Sequence, residues 1–461
     1  MRTSRNPTRG ARRPFRFYIT SLGCPKNTVD SNAMAVLLQR AGYEPTLNST
    51  DADVVIVTTC GFIEPARQES LETLEDLAGS LRPEQRLVAA GCWAQRSSDF
   101  LQSAVPRLDA VLGTRSWAEI VPLTESFALG RGAPGDGMRL GPHIWVEDRL
   151  ATLPEEPGVP GFVISGRSAF LKISEGCSRQ CAFCAIPEIK GPAVSRDMRA
   201  ILDDVRQLRD YGILEINLIA QDATYYGYDL GMRDGLAQLL EEMVTAAPEI
   251  PWVRVLYAFP GYVSSRLIEV IRDIPQILPY LDIPLQHAHP DVLRRMRRPS
   301  DMQQVRNTLD QLRDAVPEAT LRTTCIVGFP GETEAEFKTL LSFVKEVGFD
   351  RLGVFPYSHE VGTAAFSMDD DVPAQVKQER YDQLMQAQQE ISYRRNLDFV
   401  GRRLMVLLEG SGEGLTVGRS YRDAPEIDGL VLIPGDLPLH RFVEVEIVEA
   451  FEYDLAGRLI G

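Results

Sequence analysis

The stretch Ala169-Phe170-Leu171-Lys172-Ile173-Ser174-Glu175-Gly176-Cys177-Ser178-Arg179-Gln180-Cys181-Ala182-Phe183-Cys184-Ala185-Ile186-Pro187 decides how this chain is read. It opens as an apolar, strand-like run, and three cysteines follow within eight residues, spaced Cys-x3-Cys-x2-Cys. A tight loop with this spacing aims three thiolates at three irons of a 4Fe-4S cluster and leaves the fourth iron without a protein ligand. Such an open iron can chelate the amino and carboxylate groups of S-adenosylmethionine and pass one electron into its sulfonium, which breaks to a 5'-deoxyadenosyl radical. The cofactor supplies the chemistry and the protein positions it.

Two plainer readings compete. A structural zinc site needs four ligands from Cys and His, and the nearest further candidates in sequence are His143 and His287. Three ordinary buried thiols would have to fall in one loop of a chain with only seven cysteines. With Phe183 preceding the third cysteine, the run resembles the radical S-adenosylmethionine enzymes, in which an aromatic residue at that place belongs to the motif.

At 461 residues the chain has room for about three domains and a large core. No apolar run approaches the roughly 20 residues of a membrane span, and the N-terminus lacks the apolar core of a signal peptide, so a cytoplasmic protein with no membrane partner is expected. The odd cysteine count does not suit a disulfide framework, whereas a reducing compartment suits metal-binding thiolates. Against 49 basic residues stand 64 acidic ones, a net charge of -15, which opposes strong nucleic-acid binding. The head is the exception: Arg2, Arg5, Arg9, Arg12, Arg13 and Arg16 precede the first acidic residue, Asp30. It suits a solvated disordered tail, or a weak contact with ribosomal RNA or an acidic surface.

From Phe15 the pattern alternates. Strands are expected at Phe17 to Ser21, Asp53 to Val57 and Arg86 to Ala90, and helices at Val29 to Ala41 and Pro65 to Ala78, the signature of an open parallel sheet with helices on both faces. Cys24, Cys60 and Cys92 follow the three strands in turn. Ligands bind outside the carboxyl ends of strands in such sheets, so cysteines more than thirty positions apart are expected to converge. Each has a glycine neighbour (Gly23, Gly61, Gly91), which lets the backbone approach a bulky inorganic ligand. Three buried cysteines in strand-to-helix turns are the alternative. Two clusters on three thiolates each would use six of the seven cysteines, leaving Cys325, in the apolar run Thr323 to Val327, as a core residue.

The segment Ser21-Leu22-Gly23-Cys24-Pro25-Lys26-Asn27, with Val29-Asp30-Ser31 after it, resembles the entrance motif of the methylthiotransferases, in the branch that modifies ribosomal protein S-twelve. The branch acting on transfer RNA usually carries Gln and Met where this chain has Pro25 and Lys26. Thr28 and Asn32 depart from the commonest Leu and Glu of the ribosomal branch.

Between about Leu129 and Gly166, segments 130–137 and 154–161 are rich in Gly and Pro, as expected of a linker that wraps a domain junction. From Ala169 six strand-helix units are expected, with strands near 169–174, 213–220, 252–257, 280–283, 319–327 and 350–357. Six such units suggest an incomplete barrel with its active groups at the carboxyl ends of the strands, where the triple-cysteine loop falls. Polar residues follow other strands: Gln221 and Asp222, Gln286 and His287, Glu332 and Thr333. A ribose needs hydroxyl acceptors and a carboxylate needs cationic or amide donors, so Gln221, Asp222, Gln286, Glu332 and a barrel arginine are candidate cofactor contacts. Thr333 with Glu336 also reads as a helix capping box. His287 suits a hydrogen-bonding support better than a proton-transfer role. The runs Leu281 to His287, Ile326 to Thr333 and Phe355 to Ala364 resemble the methylthiotransferases again, and no catalytic role attaches to His359 within the last of them.

A charged, amphipathic helix is expected from Ala374 to Asp398. Beyond it, Arg403 to Glu409, Gly414 to Ser420, Gly429 to Ile433 and Phe442 to Ala450 alternate apolar and polar residues, suggesting a small β-barrel of about five strands. Its place and Gly401-Arg402, Gly418-Arg419 and Asp428-Gly429 resemble the TRAM domain that closes the methylthiotransferases. From Asp398 to Gly461 there are 6 Arg against 12 Asp plus Glu, a net of -6, which suits a basic protein partner better than a phosphate backbone.

The resemblance implies an α/β enzyme in five parts: a basic head (1–14), an α/β domain (15–128), a linker (129–166), a radical S-adenosylmethionine barrel (167–397) and a TRAM barrel (398–461). It implies one 4Fe-4S cluster on Cys24, Cys60 and Cys92 that carries a sulfur methylated by a separate S-adenosylmethionine. A second cluster, on Cys177, Cys181 and Cys184, makes the radical that abstracts a hydrogen from an aspartate β carbon of ribosomal protein S-twelve. The two would face one cavity. Electrons would come from a carrier such as flavodoxin or ferredoxin. An adenosine of transfer RNA is the alternative substrate, and a non-catalytic iron-sulfur carrier the alternative class.

Overall fold

The computed structural model describes residues 14–128, 143–146 and 158–460, so the head 1–13 and the Gly- and Pro-rich segments 130–137 and 154–157 lie outside the described residues. Contacts divide the chain into two compact units, Met1–Val159 and Pro160–Gly461. No helix among the described residues is long and apolar enough to cross a membrane.

The first unit is built on a six-stranded sheet in the order Glu44–Pro45, Arg16–Ser21, Val54–Thr59, Arg86–Gly91, Ala110–Gly113, His143–Trp145. All its neighbouring pairs are parallel. Val54–Thr59 is buried at every position, as a central parallel strand covered on both faces must be. Val54 and Ile56 face a core with Met34 and Leu38 from helix Pro25–Arg40, whereas Val55 and Val57 face Leu74 from helix Glu64–Ser80. The period-two alternation thus feeds two separate cores.

Two differences from expectation matter here. The first helix begins at Pro25, four residues before Val29, because proline in the first helical turn lacks only an N–H that would be unsatisfied anyway. The expected linker contains strands: His143–Trp145 adds a sixth strand to this sheet, and Phe162–Ser165 pairs antiparallel with Ser168–Lys172 in the second unit.

In the second unit, the six expected parallel strands are Ser168–Lys172, Glu215–Ile219, Trp252–Val255, Ile277–Asp282, Thr320–Val327 and Arg351–Pro356. With Phe162–Ser165 at the edge they make one open sheet around a large aliphatic core. Helix Ala374–Leu397 buries a face that is largely polar: Lys377, Arg380, Gln388, Ser392 and Asn396 lie among Leu384 and Ala387. Its polar groups are matched to strand and loop ends, as where Gln388 Nε2 donates to the Phe349 carbonyl at 2.9 Å.

The terminal module is a closed barrel of Arg403–Gly412, Leu415–Arg419, Val431–Pro434, Leu455–Leu459 and Phe442–Ala450, in that order. Leu455–Leu459 is the fifth strand, for which no segment had been singled out. The module caps the amino ends of the open sheet. Glu215, the first residue of its strand, pairs with Arg254 at 3.0 Å and with Arg419 of the terminal barrel, all three essentially without solvent exposure. Tyr280 donates to Asp428 at 2.6 Å, and Arg351 pairs with Asp423.

Candidate active site: two sets of three cysteines

Strand register places the first set. Ser21 stands opposite Thr58 and Thr59 opposite Gly91, so the first three long strands end level and their following loops leave from one edge. Cys24 is the extended residue before helix Pro25–Arg40, Cys60 follows Thr59, and Cys92 opens the short helix Cys92–Arg96. The loops touch. A Cβ on Gly23 would lie 2.9 Å from the Cys60 Cβ, and one on Gly61 would lie 2.7 Å from the Trp93 Cα and 3.1 Å from the Cys92 carbonyl carbon. Asn27 ties them together: its Nδ2 donates to the carbonyls of Leu22 (3.0 Å) and Thr59 (3.2 Å), and its Oδ1 accepts from Cys92 Sγ at 3.3 Å. Burial, with the neighbouring Cys24 thiol adding to it, pushes the Cys60 thiol up. Asn27 had been quoted within the entrance motif without a role, and its buried position one turn into the helix is what supplies one.

The second set sits in a loop closed at its base by Ser174–Glu175 pairing with Val194–Ser195. Gly176 takes φ +75°, and a Cβ there would lie 2.2 Å from the Pro192 carbonyl oxygen, so only glycine lets the two limbs meet. Cys177 N donates to Gly191 O at 2.9 Å, Arg179 N to Cys177 Sγ at 3.4 Å, and Ala182 N to Met296 O at 2.9 Å. Ala182 is buried and Phe183 packs against a small core with Val292, Met296, Phe329 and Tyr357. The motif aromatic thus anchors the loop to strand-end segments. Burial pushes the Cys177 thiol to about 11 and the Cys184 thiol to about 12, with neighbouring thiols adding to both. Three soft donors, on three glycine-bearing loops in the first set and on one in the second, fit an iron-sulfur cluster.

The polar candidates divide by what they already hold. Gln221 Nε2 donates to Glu175 Oε1 at 3.1 Å, while its buried Oε1 has no partner. Gln286 has φ +76° and is fixed by backbone bonds to Thr324 and Ile326, its side chain half-buried at a strand end. Asp222 is engaged: Oδ2 accepts from Arg179 Nε at 2.8 Å and Oδ1 from Thr224 N at 3.0 Å. Glu332 turns back into its own loop, where Oε2 accepts from Gly328 N and Phe329 N and Oε1 from Arg380 at 3.0 Å. Both carboxylates therefore hold loops, and neither presents the free acceptor pair expected for a ribose. Burial lifts the Glu332 carboxyl to about 7 against the pull of Arg380 and the two amides.

Thr333 and Glu336 form a reciprocal capping box, which accounts for both side chains. His287 is fully buried, accepts from His289 N at 2.9 Å, and is pushed down to about 3 by burial, so it is a neutral support. Cys325 lies in the core, its thiol pushed up to about 12 by burial.

Glu175 was not a candidate. Burial would raise its carboxyl, but Lys172 (2.8 Å) and Lys190 (3.0 Å) outweigh that and hold it well below the usual carboxylate range. Lys172 and Lys190 precede and follow the cysteines in sequence and meet only through the loop fold. Arg179, Arg298 and Phe259 were missed as well: Phe259 lies 4.3 Å from the Arg179 guanidinium and 4.1 Å from that of Arg298. The arginine flanked by motif cysteines was the one available signal.

Family models match in three places: the Uncharacterized protein family UPF0004 over residues 16–113, the Radical SAM superfamily over 171–344 and the TRAM domain over 400–460. The second unit's open parallel sheet and its cysteine loop are those of a radical S-adenosylmethionine enzyme. Among solved structures, a radical S-adenosylmethionine methyltransferase, TsrM, from Kitasatospora setae aligns with a TM-score of 0.55 at 13% identity, over 90% of this chain and 82% of that one. The cobalamin-dependent enzyme OxsB aligns with a TM-score of 0.52 at 12% identity, over 82% and 56%. These two share the fold.

Sequence relatives are far nearer. A protein of Roseiflexus sp. (strain RS-1), "Ribosomal protein uS12 methylthiotransferase RimO", is 44% identical over 97% of both chains, and one of the same name from Herpetosiphon aurantiacus is 43% identical over 97% of this chain and all of its own. The chain belongs to the ribosomal protein uS12 methylthiotransferase family.

Proposed function

We propose that this enzyme replaces a hydrogen on the β carbon of an aspartate of ribosomal protein uS12 with a methylthio group, using S-adenosylmethionine and two 4Fe-4S clusters. The observation that carries this reading is that the chain has two thiolate sets and not one. A radical generator alone needs one set, whereas the level strand ends bring Cys24, Cys60 and Cys92 together on loops tied by Asn27. An unactivated β carbon offers no acidic proton, so its hydrogen leaves to a radical and not to a base.

In this reading Cys24, Cys60 and Cys92 hold one cluster and Cys177, Cys181 and Cys184 the other. When bound, the clusters and S-adenosylmethionine supply hydrogen-atom abstraction and a methylated sulfur. The chain's own residues position them. Phe183 and Ala182 fix the second cysteine loop to the small core of Val292, Met296, Phe329 and Tyr357. Gln221, with its unpartnered buried oxygen, and Gln286, at the mouth of the sheet, are the contacts proposed for S-adenosylmethionine. Asp222 serves one step removed, by orienting Arg179, and Glu332 by holding the turn Gly328 to Glu332. The five-part division of the chain given above goes with this assignment. The net charge of -6 on the terminal module supports a basic protein substrate over a nucleic acid. A cytoplasmic location and a low-potential electron carrier such as flavodoxin or ferredoxin complete the proposal.

The test is anaerobic reconstitution with iron and sulfide, then incubation with S-adenosylmethionine, a reductant and either ribosomal protein uS12 or transfer RNA, with products weighed by mass spectrometry. A methylthio group on an aspartate of the protein is the expected product. The same group on an adenosine would overturn the substrate. Bound iron without 5'-deoxyadenosine would overturn the chemistry.

A further inference from the structure

Seven arginines of the described chain are buried. Arg196, Arg254, Arg351, Arg380, Arg419 and Arg422 each face a carboxylate. Arg298, 9% exposed, makes no ion pair among the described residues. Its guanidinium is nevertheless held on several sides. Nη1 lies 3.6 Å from Cys181 Sγ, Nη2 donates to the Pro284 carbonyl, and Cζ stands 4.1 Å from the centre of the Phe259 ring. Nε is buried without a partner. The backbone beside it is also pinned to the cysteine loop, where Ala182 N donates to Met296 O.

A guanidinium taken out of water needs an anion to offset its lost hydration. A neutral Cys181 thiol does not supply one, and an iron-bound thiolate does. We infer that Arg298 is the built-in counter-ion of the iron-sulfur site on Cys177, Cys181 and Cys184, and that by donating to the ligating sulfur of Cys181 it raises that site's reduction potential. This rests on the assignment of those three cysteines to a 4Fe-4S cluster. Reduction adds one electron from a one-electron donor to the cluster and moves no proton. A fixed cation beside it favours the more negative state, and hydrogen bonds to ligating sulfurs act in the same direction. Arg298 is thus a positioning and tuning residue that acts through a cluster ligand.

The experiment is an anaerobic titration of the full chain, both clusters reconstituted, with dithionite as donor and electron paramagnetic resonance as readout. The reduced signal that changes on adding S-adenosylmethionine reports the site in question. Arg298→Met and Arg298→Gln remove the charge; Arg298→Lys keeps it. The expected result is unchanged iron content and a more negative midpoint in both neutral variants, by about tenfold in the reduction equilibrium, or ~59 mV for one electron, with Arg298→Lys closer to the parent. An unchanged midpoint in an assembled neutral variant would overturn the inference, as would loss of the cluster in all three variants, which would make Arg298 an assembly residue. A parent chain without any signal responsive to S-adenosylmethionine would instead remove the cluster assignment, and the inference with it.

Discussion

Asn27 shows how much can hang on one amide. It is 1% exposed and joins the loops after the first two strands while receiving the Cys92 thiol. Asn27→Ala would leave the buried Thr59 carbonyl and the half-buried Leu22 carbonyl short of a donor, at about 1–3 kcal/mol for a buried group left unsatisfied, and would free the loops to part. Iron per reconstituted chain should fall to roughly half, the share of one four-iron cluster in two, while reductive cleavage of S-adenosylmethionine continues. His287 makes a different prediction. Burial holds it near 3 in the folded state, below the ordinary value of about 6.5. The unfolded chain therefore binds the extra proton between those values. The contribution of His287 to stability is full above about pH 6.5 and declines as pH falls toward 3, by up to ~1.4 kcal/mol per pH unit. Glu332, lifted to about 7, takes up a proton in the folded state over part of the same range and offsets this decline, so the check is the difference in urea midpoint between His287→Gln and the parent, which should grow in the variant's favour from pH 7.5 down to 5.

The element to which the proposed function assigns radical generation is the loop between Glu175 and Val194. Its geometry depends on Gly176, whose positive φ and contact with Pro192 O exclude a side chain. Gly176→Ala combines left-handed strain, of order 1–3 kcal/mol, with a steric clash that pushes the two limbs apart. This variant should keep the cluster on Cys24, Cys60 and Cys92 yet form no 5'-deoxyadenosine, checked by iron analysis beside chromatography of the cleavage products. The loop was legible because its cysteines lie close in sequence. The supports of the loop were not, since Lys172 and Lys190 meet Glu175 and Arg298 meets Cys181 only after the chain has turned.

Across the second unit, the terminal barrel is fastened to the amino ends of the open sheet by buried ions, at the opposite end from the cysteine loop. Glu215 lies between Arg254 and Arg419 and accepts from Ser168 at 2.8 Å. Glu215→Gln would leave Arg254 buried without its carboxylate and Arg419 with Glu409 alone. Breaking such a network costs about 3–5 kcal/mol, so the variant should unfold at markedly lower denaturant, and limited proteolysis should cut between the helix ending at Leu397 and the strand beginning at Arg403. A fastening of this kind makes the TRAM module part of the enzyme's body.

Residues near in sequence and elements with a clear period were determined by the sequence itself. The triple-cysteine loop, the six parallel strands and the convergence of Cys24, Cys60 and Cys92 all follow from local spacing, and from the rule that parallel strands end at one edge. Long-range pairing decided the rest. The strand His143–Trp145 is too short to show a period, and it is defined by the neighbour it joins. Asp222 and Glu332 sit at strand ends where a ligand contact is reasonable, but the donors that engage them, Arg179 and Arg380, lie 43 and 48 residues away. Whether a polar side chain is free or already satisfied is a property of its surroundings. A sequence names the group, and only the packed chain supplies or withholds its partner.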